Sequence, residues 1–164
     1  SMDNVFLIFS IFIILLIFNF SNKVFIGDGG AYMLGFVFSV WVILLQYKIV
    51  NISPFFIILL LWYPCFENLF SIIRKVKLGH SPINPDTKHL HHLIFFYFQK
   101  NKKFSKKKSN NISSCLINLF NFLIIYIGSI NPYNTSLQLI IIFISILVYV
   151  ILYLKLFKIM KLIR

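Results

Sequence analysis

The sequence predicts an all-α protein, a polytopic transmembrane helical bundle of about five spans with a cytoplasmic His-rich loop. Composition is the first reason. Of 164 residues, 59% are hydrophobic and 12% charged, against about 25% charged in a typical soluble domain. Twenty Phe and long Ile/Leu runs leave too little polar surface to cover a globule in water, so the bilayer is the natural solvent. The second reason is the clustering of apolar residues into helix-length runs. The third is that the basic residues gather between and after those runs.

The runs cover residues 5–20, 31–47, 52–66, 112–130 and 137–157. A helix needs about 20 apolar residues to cross the hydrocarbon core, and about 17 at the low end. The second, fourth and fifth runs meet this. The first and third are short and must borrow flanking residues such as Asn4, Asn19 and Ser53. Backbone groups must be satisfied within lipid, so the runs are expected as helices of one integral membrane domain, residues 1–164. Asn131-Pro132-Tyr133-Asn134 and the stretch from Asn51 to Pro54 read as turns between consecutive spans. The first run lacks a basic leader and a small-residue cleavage site, so it reads as a span and not a signal peptide.

Orientation follows from charge. Sixteen Lys/Arg face four acids, giving a net charge of +12. The segment 67–111 carries Arg74, Lys75, Lys77, Lys88, Lys100, Lys102, Lys103, Lys106, Lys107 and Lys108, which the positive-inside rule places in the cytoplasm. Five spans then put residues 21–30 and the C-terminal tail on the same side, leaving Lys48 as the lone outer basic residue. Such clusters orient a membrane protein or meet anionic lipid, so nucleic-acid binding is not expected. Cys65 and Cys115 sit in apolar stretches and suggest neither a disulfide framework nor a zinc ribbon.

Two loops carry residues with chemical content. The first is Val24-Phe25-Ile26-Gly27-Asp28-Gly29-Gly30-Ala31. Asp28 between glycines at a helix mouth can ligate magnesium, which takes one or two carboxylates and completes its shell with waters and phosphates. Spacing alone favours a helix cap, for which Asp is among the best residues. The second loop runs from Gly79 to His92 and contains every histidine of the chain: His80, His89, His91 and His92. A short helix starting after Pro85 would put His89 and His92 on one face and turn His91 elsewhere. Imidazoles there can donate to phosphate or ligate a transition metal. The lysines at 100–108 read as a solvated, lipid-facing orientation signal.

Together the loops resemble the polyprenyl-phosphate N-acetylhexosamine-1-phosphate transferases, whose pattern includes Asn-Phe at a span end, then P-A-x-x-F-M-G-D-x-G-S-x-x-L-G-F. Here Asn19-Phe20 precedes Phe25-Ile26-Gly27-Asp28-Gly29-Gly30, with Leu34-Gly35-Phe36 beyond. The family's later pattern, P-x-x-D-T and then R-R-x-x-x-G-x-S-P-F-x-P-D-R-x-H-L-H-H, is matched in spacing by Pro64, Glu67, Arg74-Lys75, Gly79, Ser81-Pro82, Pro85-Asp86 and His89-Leu90-His91-His92. Glu67 replaces the usual Asp, Thr87 the usual Arg or Lys, and Gly30 the usual Ser.

The resemblance implies an Mg2+-dependent transfer, with Mn2+ as an alternative, of N-acetylhexosamine-1-phosphate from a UDP-sugar to polyprenyl phosphate in the bacterial inner membrane. UMP would leave, and the product would serve cell-envelope polysaccharide synthesis. It implies Asp28 as metal ligand and, with His89, His91 and His92, as the catalytic set. Asn19, Gly27, Gly29, Glu67, Arg74 and Asp86 would line the substrate site. The resemblance covers the family's C-terminal half, and no Asp-Asp pair occurs in this sequence. The chain is therefore expected to be a fragment or half enzyme that a complementary half or homo-oligomer completes. A catalytically inactive scaffold that keeps the family loops is the alternative. A histidine-based metal carrier ranks last, because transporters place polar ligands within their spans and these spans hold few.

Overall fold

The computed structural model describes residues 2–21, 23–24, 26–84 and 87–162. The chain divides into two compact units, residues 1–50 and 51–164. All regular structure among the described residues is helical, as composition and hydropathy predict.

The first unit contains α1 (Met2–Phe20) and α2 (Gly27–Lys48). The second contains α3 (Pro54–Leu60), α4 (Trp62–Lys77), α5 (Leu90–Lys100), α6 (Lys106–Ile130) and α7 (Thr135–Leu162). By length and hydropathy α2, α6 and α7 can each cross a membrane, and the α3–α4 pair can make a fourth crossing. The apolar stretch Ser10–Phe20 of α1 is shorter. Of the five expected spans, three are thus helices of full length.

The expected third span, residues 52–66, is not one straight helix. α3 and α4 meet at a bend of 74°. Pro64 gives the reason: it has no N–H to donate, and its ring would strike the carbonyl four residues back in a continuous helix. That residue is Leu60, where α3 ends. Beyond the bend α4 continues to Lys77, so the first eleven residues of the expected 67–111 loop are helical. α5 and the start of α6 fill much of the remainder.

The second unit is assembled by α3 and α5 packing on both α6 and α7, which also pack on each other. At one end the two expected turns meet. Ser53 caps α3 by accepting from Phe55 N at 3.3 Å, with Pro54 in the first helical position, where a missing N–H costs nothing. Ser53 N donates to Pro132 O at 3.0 Å, and its hydroxyl lies 3.1 Å from that of Thr135. Buried Gln138 closes the α6–α7 turn by donating from Nε2 to the carbonyls of Gly128 and Asn131, both at 2.9 Å.

This end depends on a missing side chain. A Cβ on Gly128 would lie 2.3 Å from Leu59 Cδ2 and 3.0 Å from Gln138 Oε1, and Leu59 is fully buried. A branched side chain cannot be absorbed there. Gly128→Val is expected to lower stability by about 1–3 kcal/mol, the usual cost of overpacking. Gly128→Ala should be close to neutral, because a helix gains about 1 kcal/mol on replacing Gly by Ala while one Leu59 methyl gives way. Unfolding in detergent micelles would rank the two.

Candidate functional site

Glu67, Ser71 and Arg74 recur every three or four residues along α4 and so share one face. α7 answers with Tyr149 and Tyr153, one turn apart and both buried. Phe66 and Phe70 fill the space between, with ring centroids 5.0 Å and 5.4 Å from Tyr149 and Phe70 4.7 Å from Tyr153. Edge-to-face rings of this kind fix the two helices in register.

Glu67 is the centre of the arrangement. It is 7% exposed, and its carboxylate has three hydrogen-bonding neighbours. Oε2 accepts from Tyr149 OH at 2.7 Å. Oε1 accepts from Leu90 N at 3.0 Å and lies 3.0 Å from His89 Nδ1. Leu90 is the first residue of α5, and its N-cap residue His89 offers no capping side chain. Glu67 therefore caps α5 from across the fold and puts a negative charge at a helix N-terminus, where the dipole favours it. The Tyr63 hydroxyl is near this carboxylate but outside hydrogen-bonding geometry.

Two turns further along α4, Arg74 holds the other side of the α5 entrance. Its Nη1 donates to Lys88 O and Tyr153 OH, its Nη2 to Ser71 Oγ at 3.1 Å, and the guanidinium covers the Tyr153 ring at 5.6 Å. Between these anchors the chain reverses at Gly79, whose φ is +71°. Gly79 N bonds Val76 O and His80 N bonds Lys75 O, the paired bonds of a Schellman cap. A side chain at this φ would be strained, which accounts for the glycine. Lys75 Nζ then clamps the loop by donating to Pro82 O at 3.0 Å and Asn84 O at 2.7 Å.

Arg74, Lys75, Leu78, His80, Ser81, Asn84 and Lys88 line a cavity of about 260 Å³. The basic lining suits a phosphate group.

The histidines depart from the expected arrangement. His80 lines the cavity, while the other three cluster at the start of α5. His91 does not turn away from the rest. Its ring stacks on His89 at 5.5 Å and 19° and lies 4.3 Å from His92. The expected His89–His92 pair is the looser one, at 6.3 Å. Rings stacked face to face do not converge their nitrogens on one point. Among the described residues, no group of three His, Cys, Asp or Glu could hold a metal ion.

His91 is exposed at its outer edge, yet its pKa is lowered from the usual value. Desolvation by its neighbours contributes most, then the charge of His92, while Glu67 acts the other way and His89 lowers it further. His92→Ala should raise the His91 pKa only part of the way, since burial persists, and an NMR pH titration of the ring would show it. For the sign, the unfolded ring binds its proton at a higher pH than the folded one. The contribution to stability is therefore complete above about pH 6.5 and lost as pH falls through the folded pKa.

The other candidate residues lie in the first unit or outside the described residues. Gly27 opens α2 at φ +65°, and Asp28 is exposed in the first turn. The capping alternative is not realised, because the N-cap residue is Ile26 and no side chain caps the helix. The exposed carboxylate thus suits a magnesium ion that draws its other ligands from water and phosphate. Glu67 does not suit that role, since three donors already occupy it. A Cβ on Gly30 would meet Ile26 Cγ2 at 2.3 Å, so Ile26 occupies the space of the usual Ser. Asn19 is exposed in the last turn of α1, and Gly29 is exposed beside Asp28. Asp86 lies outside the described residues.

Tyr149, Tyr153 and Ser71 are absent from the residues expected from sequence. One signal could have found the tyrosines. Gln138, Ser145, Tyr149 and Tyr153 form a stripe with helical spacing on the largely apolar α7, and all are buried. Polar groups at helical spacing in a span face the bundle interior.

No family model and no solved structure matches the chain significantly. Three curated proteins, all named undecaprenyl-phosphate alpha-N-acetylglucosaminyl 1-phosphate transferase, show the nature of its relatives. That of Yersinia pestis is 39% identical over 75 residues, 44% of this chain and 20% of the relative. That of Escherichia coli K12 is 36% identical over 74 residues, with the same coverages. That of Haemophilus influenzae is 36% identical over 74 residues, 44% of this chain and 21% of its own. The matches thus span about a fifth of each relative. Over that shared length, the chain's curated relatives are the undecaprenyl-phosphate sugar-phosphate transferases that the motifs of its two loops resemble.

Proposed function

We propose that the chain is part of a membrane transferase that moves N-acetylhexosamine-1-phosphate from a UDP-sugar to polyprenyl phosphate and releases UMP. The observation that carries this is the 35–39% identity to transferases named for this lipid substrate. The anchoring of residues 82, 84, 88 and 90 by Lys75, Arg74 and Glu67 supports it. Phosphoryl transfer asks a protein mainly to position its reactants and offset their negative charge. The basic cavity would receive a phosphate, with His89, His91 and His92 beside it. Asp28 would hold a magnesium ion, with manganese as a substitute, and the ion would offset charge on the phosphate oxygens. The clustering of basic residues in these loops supports a cytoplasmic side for them, at the bacterial inner membrane. The rest of the site, including an Asp-Asp pair, would come from further sequence, a complementary chain or a second copy.

A second reading has one specific observation in its favour. Glu67, Arg74 and Lys75 direct polar atoms to partners within the protein's own loop and helices, as they would in a scaffold without turnover. The two readings separate in vesicles containing polyprenyl phosphate, UDP-N-acetylglucosamine and magnesium. The chain would be tested there alone and with the N-terminal portion of the Escherichia coli relative. UMP release by the mixture is the expected result. Stable association without release would favour the scaffold.

A further inference from the structure

Two hydrogen bonds to Glu67 have an unambiguous direction. The Leu90 amide can only donate, and it reaches Oε1 at 3.0 Å. Tyr149 OH donates to Oε2 at 2.7 Å. A carboxylate receiving both has only acceptor capacity left for the third neighbour, His89 Nδ1, 3.0 Å from Oε1. A neutral imidazole carries one proton on one of two nitrogens, and the partner of one nitrogen decides the form of the other. Here the proton belongs on Nδ1, leaving a lone pair on Nε2.

We propose that Glu67 is a positioning residue that fixes His89 in its Nδ1-protonated tautomer and presents Nε2 as a bare acceptor at the mouth of α5. The carboxylate does this with little freedom to move, because Tyr149 of α7 holds its far oxygen and the α5 amide shares the near one. His89 is held in turn. Its ring stacks on His91, the residue before it accepts from Arg74, and its side chain keeps 22% exposure. A carboxylate on one imidazole nitrogen and an open lone pair on the other is the arrangement used to set general bases and ligand acceptors.

The chemistry at Nε2 follows. A bare nitrogen accepts from a group that carries a proton, such as a sugar or ribose hydroxyl or a protonated phosphate oxygen. It cannot donate to an ionised phosphate until it has taken up a proton, which would leave an imidazolium beside Glu67. The basic cavity and His89 would therefore recognise different parts of a ligand, anionic phosphate in the first case and a protonated group in the second. The use of Nε2 in sugar-phosphate transfer rests on the proposed function, whereas the tautomer rests only on the geometry around Glu67.

The test needs no turnover, so failure of the transferase assay and failure of this proposal are distinguishable. The full chain, labelled with 15N in histidine, is placed in lipid nanodiscs above pH 7. The His89 ring signals are assigned as those lost in His89→Gln. Protonated and bare ring nitrogens have well-separated shifts, and the expected spectrum shows Nδ1 protonated and Nε2 bare. Tyr149→Phe should keep that pattern, because the Glu67–His89 contact remains. Glu67→Met should remove the preference for Nδ1. A wild-type His89 protonated mainly on Nε2 would overturn the proposal without recourse to any variant. So would a Glu67→Met spectrum in which the His89 pattern is unchanged.

Discussion

Glu67→Met is expected to cost about 2–6 kcal/mol of stability. The estimate follows from counting orphans. The variant keeps the volume and helix propensity of the side chain but removes the acceptor for Leu90 N, Tyr149 OH and His89 Nδ1. A buried donor left without a partner costs about 1–3 kcal/mol. His89 is partly exposed and can turn to water, so two donors bear the cost.

Tyr149→Phe makes the contrast. It removes one donor and leaves the carboxylate with two, so about 1 kcal/mol is expected. The ordering matters more than either value, because removing the shared acceptor disconnects α4, α5 and α7 together. Denaturant unfolding of the chain in micelles, followed by circular dichroism, would measure both. If Glu67→Met cost no more than Tyr149→Phe, the carboxylate would not be the hub.

The second large effect is expected at Asp28. In a transferase completed by its other residues, Asp28→Asn should lower UMP release by at least about 10²-fold, the scale on which loss of one charge-stabilising group acts. The substitution keeps size and polarity but removes the negative charge that a hard cation requires. Asp28 is exposed and caps no helix, so the folded structure should be indifferent to the change. A large loss of activity with unchanged thermal unfolding is the expected pair of results. Undiminished release would remove Asp28 from the metal site, and a parallel loss of stability would assign it a structural role.

Much of this protein is legible along the chain because one physical requirement governs its sequence. A backbone in lipid must satisfy its own hydrogen bonds, so apolar runs of sufficient length become helices, as α2, α6 and α7 do. The turn residues around Ser53 and Pro132 are readable for a similar reason: proline and capping side chains act within a few residues. The bend between α3 and α4 was written in Pro64, but an apolar run conceals it from hydropathy. Gly79 could be singled out from its loop, while its left-handed backbone was visible only once the Schellman bonds were in place.

The contacts around Glu67 had no local signature. Its partners are 22 to 82 residues away, and a helical pattern says which residues share a face without saying what that face meets. For the same reason the stacking of His91 on His89 was not legible, since it depends on where α5 begins.

By itself, then, the sequence determined an all-helical membrane architecture, the two loops with chemical content and their likeness to sugar-phosphate transferases. These follow from composition, local spacing and charge, which act at short range. Only the tertiary structure decided that Glu67 caps α5 and is anchored by α7, that Arg74 and Lys75 bond the loop between α4 and α5, and that His91 stacks on His89 beside His92. Each of those roles depends on which distant donor fills a lone pair, and packing settles that in three dimensions.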